Sequence, residues 1–323
     1  MNRQEEREVL LNVEHLCMHF HAKAGRRKTL VKAVDDVSFQ VYRSETFGLV
    51  GESGCGKTTT GRTILRLHTP TSGNIEFDGR SLTGKMIKEL QSYLTEHITC
   101  IFQDPIDSLN PRMTVREIIG EGLFVRGIHD RAEIDRRVFE VLEKVGLTKE
   151  HANRYPHEFS GGQRQRIGIT RAIIVNPSMV IADEPVSALD VSVQAQVINL
   201  LNDLKREYGL TIIFVAHNLS VVKYFSDRIG VMYRGKLLEV ARSDDLYEHP
   251  IHPYTKSLLS AIPMPNPLIE KERESLVYDV KTAHDYSTEQ PHMVEILPEH
   301  FVYGSESEIL RYRRELKGDA LCC

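Results

Sequence analysis

Three short strings in this chain of 323 residues carry side chains suited to work on phosphate esters. The first is Gly51-Glu52-Ser53-Gly54-Cys55-Gly56-Lys57-Thr58, with Thr59 next. Glycines 51, 54 and 56 let the backbone curl until successive N–H groups point inward, a geometry that suits phosphate oxygens. Lys57 adds an ammonium for the terminal phosphates, and Thr58 a hydroxyl for a divalent cation such as Mg²⁺. Cys55 reads as a small filler at a variable loop position.

The second string, SMVIADEP, runs from 178 to 185. Its apolar run would deliver Asp183 and Glu184 to a strand's end, where ligands of open α/β sheets collect. Asp183 is placed to hold Mg²⁺ through water. Glu184 leaves the strand end in another direction and can take a proton from an attacking water. The third string, FSGGQRQR at 159–166, lies shortly before the second. Ser160, Gly161 and Gly162, with Gln163 beside them, would offer N–H groups and a hydroxyl to an anion at a helix start. Taken alone, they would more often serve as a plain helix cap.

Strands must hold these groups in place. Short apolar runs rich in β-branched residues recur at 34–41, 46–50, 73–77, 98–102, 178–183, 210–217 and 227–233. The runs at 179–182 and 211–216 lack polar alternation, which predicts strands buried on both faces of a mainly parallel sheet. Helical stretches Thr58–Leu67, Val193–Tyr208 and Ser220–Phe225 lie between them. Such alternation predicts an α/β fold. From about 115 to 155 the pattern is helical only, which predicts a helical subdomain inserted in the core. After Ile262 the string PMPNP stiffens the chain, and the polar remainder is expected to stand apart as an appendage.

With the 159–166 string standing between the other two, the three resemble the ABC-type ATPases, whose motif at that place usually reads LSGGQ; here Phe159 replaces the Leu. The resemblance covers about residues 8–262. It implies an α/β P-loop ATPase core with a mainly parallel sheet and an antiparallel β subdomain. It also implies a helical subdomain at about 104–172 and a C-terminal extension at 263–323. Each ATP, with its Mg²⁺, would be sandwiched between the 51–59 loop of one chain and Ser160–Gln163 of another. By the same resemblance Gln103 is the Q-loop glutamine near Mg²⁺ and water, so that Thr58, Gln103 and Asp183 form the metal set. Ser187–Asp190 is the D-loop at the dimer interface, Glu184 the catalytic base and His217 the switch histidine on the γ-phosphate. Many relatives stack adenine on an aromatic residue. The stretch from Lys28 to Val37 has none, Leu30 standing near that place and Phe20 upstream.

The strings FQDPIDSLNPRMTV (102–115) and LYEHPIHPYTKSLLSAIP (246–263) resemble the oligopeptide/dipeptide permease branch, and VGESGCGKTTTGR with FSGGQRQRIGI resembles its F-type ATPase. The implied partners are two membrane-spanning permeases, a D-type ATPase completing a heterodimer and, indirectly, an extracytoplasmic binding protein. The chain would then lie peripherally on the cytoplasmic face of the membrane. Relatives in this branch carry di- and oligopeptides, nickel chelates, glutathione or sugars, a choice made in the partners. Some carry cysteines after the HPYT segment that are thought to hold an iron–sulfur cluster. Here only Cys322 and Cys323 follow it, so no cluster is expected.

Net charge is -4, which provides no global basic field, and no nucleic-acid partner is expected. No apolar run approaches the roughly 18 residues of a membrane span, and the first residues lack the apolar core of a secretory signal. Five cysteines without paired spacing suit a reducing cytoplasm. A soluble ABC protein acting on ribosomes or DNA is the alternative from another class. Those proteins usually carry two cassettes or long coiled-coil insertions.

Overall fold

Every residue of three strands is buried: β3 (Thr46–Val50), β7 (Met179–Asp183) and β8 (Thr211–Ala216). The two-residue period of a strand divides each between two cores. In β8, Ile212, Phe214 and Ala216 enter one, and Ile213 and Val215 the other. In β7, Val180 and Ala182 part in the same way from Met179 and Ile181. Each large side chain so buried contributes about 1.5–3 kcal/mol, and a one-residue slip would exchange every one of them. That fixes the register.

The computed structural model describes residues 7–24, 27–104, 107–262 and 276–319. Around β3, β7 and β8 stand β6 (Ile98–Ile101), β9 (Arg228–Tyr233), β10 (Lys236–Arg242), β11 (His292–Leu297) and β12 (His300–Gly304). The eight form one sheet in the order β11-β12-β10-β9-β3-β8-β7-β6. From β9 to β6 the pairing is parallel; β10, β12 and β11 add an antiparallel edge. A second sheet is antiparallel throughout. It comprises β1 (Val9–Ala24), β2 (Arg27–Tyr42), β4 (Ser72–Phe77) and β5 (Arg80–Ser81), in the order β2-β1-β4-β5.

Helices α1 (Lys57–Ile64) and α2 (Lys88–His97) precede β6. Between β6 and β7 the elements among the described residues are all helical: α3 (Val115–Val125), α4 (Arg131–Lys144), two short 3₁₀ turns and α5 (Gly161–Ile173). Thr114 and Glu117 cap α3 reciprocally, and Asp130 caps α4. Helix α6 (Val191–Tyr208) leads into β8 and stops at Gly209, whose φ of 63° no other residue would adopt as cheaply. After β8 come α7 (Leu219–Lys223), α8 (Ser243–Glu248) and α9 (Pro253–Ser260).

Two differences from the sequence reading concern non-local pairing. Strand β1 escapes it because its polar and apolar residues alternate irregularly, the strand being broken by bulges near His15 and Cys17. The expected appendage after Ile262 does not stand apart: β12 pairs with β10, Glu239 opposite Val302 and Val240 opposite Phe301, and so widens the main sheet. The string PMPNP and the terminal cysteines lie outside the described residues.

Candidate active site

Four neighbouring parallel strands end together. Their register sets Val50 beside Ala216, Asp183 beside Val215 and Ile101 beside Ala182. Just past those ends lie Gly51, His217, Glu184 and Gln103, gathered from four separate parts of the chain.

The loop after β3 follows the glycine reading. Gly51, Gly54 and Gly56 have φ of 149°, 78° and 113°. At Gly56 a Cβ would lie 2.2 Å from the Ala33 carbonyl oxygen, so β2 crowds the loop from outside and excludes any side chain there. Helix α1 starts at Lys57 without a side-chain cap. Lys57 is buried, and its Nζ donates to the carbonyl oxygens of Gly51 at 2.7 Å and Glu52 at 2.9 Å. The amine thus curls across the mouth of its own loop. Cys55 is buried in the core cluster that holds Phe47 and Met232, burial pushes its thiol up, and its Sγ accepts from Lys57 Nζ at 3.7 Å.

The two carboxylates point to different partners. Thr58 Oγ1 donates to Asp183 Oδ1 at 2.8 Å. Burial pushes the Asp183 carboxyl above its ordinary value, with the Thr58 bond opposing. Glu184 has a φ of 46°, in the left-handed region that costs a residue with a Cβ about 1–3 kcal/mol when surroundings enforce it. Glu184 Oε2 lies 3.0 Å from His217 Nδ1 and accepts from Gln103 Nε2 at 3.3 Å. A cleft of about 40 Å³ opens between Glu184, Ser187 and His217, large enough for a water.

Ser160–Gln163 lie elsewhere. Gln163 N donates to Ser160 Oγ at 3.3 Å and Ser160 N to Gln163 Oε1 at 3.0 Å, a reciprocal cap on α5. Gly162 presses on α6, where an added Cβ would meet Val193 Cγ1 at 2.6 Å. With Asp190 these residues line their own cavity of about 430 Å³. Among the described residues no hydrogen bond or ion pair joins 160–163 to 51–59. A cavity of about 760 Å³ opens at the opposite end of the sheet among Arg43, Glu45, Lys223 and Asp227, where the charges are mixed and no glycine turn offers N–H groups.

One residue at the site was not singled out by sequence reasoning. The Tyr254 hydroxyl accepts from the Glu52 N–H at 3.3 Å. The HPYT string around it served only as a branch marker, since nothing in its residue types announces a contact with a loop 202 positions away.

Residues 34–187 match the family described as ABC transporter, and 238–288 match that described as oligopeptide/dipeptide transporter, C-terminal region. The chain is 55% identical over 302 residues to the oligopeptide transport ATP-binding protein OppF of Bacillus subtilis (strain 168), covering 93% of this chain and 98% of that one. The chain belongs to the ABC transporter family. Another ABC relative, the dipeptide transport ATP-binding protein DppF of Lactococcus lactis subsp. cremoris, is 53% identical over 291 residues, 89% of this chain and 92% of that one. Among solved structures, the ATP-binding cassette MJ0796, dimeric in a post-hydrolysis state bound to ADP and Pi, is similar with a TM-score of 0.65 and 28% identity. That likeness covers 72% of this chain and 99% of the other. As a member of the ABC family this chain is an ATPase, and its fold is the ABC cassette. The second family match begins on β10 and ends beyond Val280–Ala283, so it spans the expected boundary at 262.

Proposed function

We propose that this chain is the F-type ATPase of an oligopeptide/dipeptide importer, with ATP and Mg²⁺ held between it and a second, D-type ABC subunit. One observation carries the sandwich: the phosphate loop with its carboxylates, and the Ser160–Gln163 cavity with Asp190, are two separate half-sites on one chain. A second subunit turned about a pseudo-two-fold axis would close both. The dimeric state of the solved cassette with ADP and Pi supports this. The names of the relatives at 55% and 53% identity support the cargo class. Nickel chelates, glutathione or sugars are cargoes of the same importer class.

Each residue's task follows from where it sits. Residues 51–59 cradle the β- and γ-phosphates with backbone N–H groups, and Lys57 turns its ammonium from Gly51 and Glu52 to the phosphates. Thr58 and Asp183 offer oxygen donors that suit a hard cation, with Gln103 nearby; Mg²⁺ bound there would neutralise phosphate charge. The Glu184 carboxylate takes a proton from water, whose oxygen bonds to the γ-phosphorus as the bridge to the β-phosphate breaks. His217 and Gln103 orient that carboxylate. Ser160–Gln163 of the partner subunit would close on the γ-phosphate, so closure depends on ATP and opening on its hydrolysis.

Among the described residues no helix is long and apolar enough to cross a membrane. Attachment to the cytoplasmic face of the membrane would therefore run through two permeases, fed from outside by a binding protein. No iron–sulfur cluster is expected, and stoichiometric iron with acid-labile sulfide in purified protein would overturn that.

The test is an affinity pull-down of the Glu184→Gln protein, loaded with ATP, from detergent-solubilised native membranes. Recovery of two multi-span permeases and a second ABC ATPase is the expected result. Ribosomes or nucleic acid without a permease would sink the importer and favour a soluble ABC protein.

A further inference from the structure

The peptide unit joining Gly51 to Glu52 is gripped from both sides. Its carbonyl oxygen accepts from Lys57 Nζ at 2.7 Å, and its N–H donates to the Tyr254 hydroxyl at 3.3 Å. In a trans peptide the C=O and N–H point in opposite directions, so two such bonds set the rotation of the plane about the chain. Glycine leaves that rotation free: Gly51 has a φ of 149°, and an added Cβ would sit 2.1 Å from the Met232 carbonyl oxygen. When Lys57 turns to a phosphate, one of the two holds is released. Tyr254 keeps the other.

Tyr254 is built to stay. It is 1% exposed, and its ring packs 4.5 Å from Tyr233 and 5.2 Å from Tyr278. It stands in the first turn of α9, where the His252 ring accepts from the Tyr254 N–H at 3.1 Å and Pro253 occupies the first helical position. The turn is tied in turn to Glu239 of β10. That fully buried carboxylate accepts from the N–H groups of Ile251 at 2.8 Å and His252 at 3.0 Å, and lies 2.7 Å from His300 Nε2 on β12. A chain of short contacts thus runs from the C-terminal strand to the phosphate loop.

We propose that Tyr254 is a positioning residue of the nucleotide site, its hydroxyl holding the Gly51–Glu52 peptide in the orientation that receives ATP. The segment around HPYT thereby becomes a working part of the ATP site as well as a covering for the sheet. This rests on the reading that residues 51–59 bind the phosphates of ATP.

Three full-length proteins test it: wild type, Tyr254→Phe and Lys57→Ala, each titrated with MgATP and assayed for turnover in the assembled transporter. The Phe ring keeps the packing and removes the hydroxyl alone. Loss of one neutral hydrogen bond should raise the ATP Kd and KM by roughly 3- to 10-fold. The expected kcat stays within about twofold, since the reacting groups are untouched. The Glu52 amide should also exchange hydrogen faster in the ATP-free protein. Unchanged affinity and exchange, or a lowered melting temperature without an affinity change, would overturn the proposal. Lys57→Ala separates the two readings. If it binds MgATP as tightly as wild type, the phosphate-site reading itself fails; if it loses binding while Tyr254→Phe does not, only the role of Tyr254 falls.

Discussion

His217 Nδ1 lies 3.0 Å from Glu184 Oε2, a contact that spans 33 positions of sequence. Gln103 Nε2 holds the same oxygen at 3.3 Å, and Glu184 also lines the cleft where a water fits. Glu184→Gln keeps the shape and both orienting contacts but cannot accept a proton. Turnover should fall by about 10² to 10⁴, with MgATP affinity preserved. Single-turnover and equilibrium titrations would separate the two quantities, and near-normal hydrolysis would take the base role away from Glu184.

The bond between Thr58 Oγ1 and Asp183 Oδ1 makes a second prediction. Asp183 is 5% exposed, and burial already disfavours its charged form, which a bound cation would restore. Asp183→Asn keeps the oxygen facing Thr58 and removes the charge. The Mg²⁺ concentration for half-maximal ATPase activity should rise by about 10- to 100-fold. A Mg²⁺ titration that overlays wild type would show that the cation is held elsewhere.

A third prediction follows from crowding at the loop. Gly56→Ala would force a Cβ within 2.2 Å of the Ala33 carbonyl oxygen at a φ of 113°. Stability should drop by about 1–3 kcal/mol in urea denaturation, and MgATP affinity should drop with it. Full stability together with full affinity would mean that β2 yields to the side chain.

The fourth prediction concerns acid. His252 is fully buried, its ring accepts from the Tyr254 N–H, and burial first, then His284 and Lys256, hold its pKa down at about 3. In the unfolded chain the same ring takes a proton below about pH 6.5. Its contribution is therefore fully present above that pH and is lost as pH falls from about 6.5 toward 3. The slope is about 1.4 kcal/mol per pH unit for a single group. His252→Asn supplies a short capping oxygen that does not titrate. Between pH 6 and 5 its stability should decline less steeply than wild type by about that slope. Equal slopes in denaturant titrations at the two pH values would reject the assignment.

Local chemistry was legible in the residues because it depends on neighbours in the chain. The curl of 51–58 needs three glycines in a row of eight residues, and the exit of Asp183 and Glu184 in different directions needs only a strand end. The strands β3, β7 and β8 announced themselves because burial on both faces removes polar alternation. Strand β1 gave no such signal, since its bulges break the period on which such a reading rests.

By itself the sequence determined the family to which the chain belongs, and it singled out side chains suited to a phosphate, a hard cation and an attacking water. The tertiary structure alone decided that Glu184, His217 and Gln103 share one carboxylate oxygen. It also set Ser160–Gln163 apart from the loop at 51–59, and it sewed the tail into the main sheet through Glu239 and His300. Tyr254 shows why. Its hydroxyl meets Glu52 only because β10, α9 and β12 are already packed together, and the free energy of that packing is spread over many residues that share no local pattern.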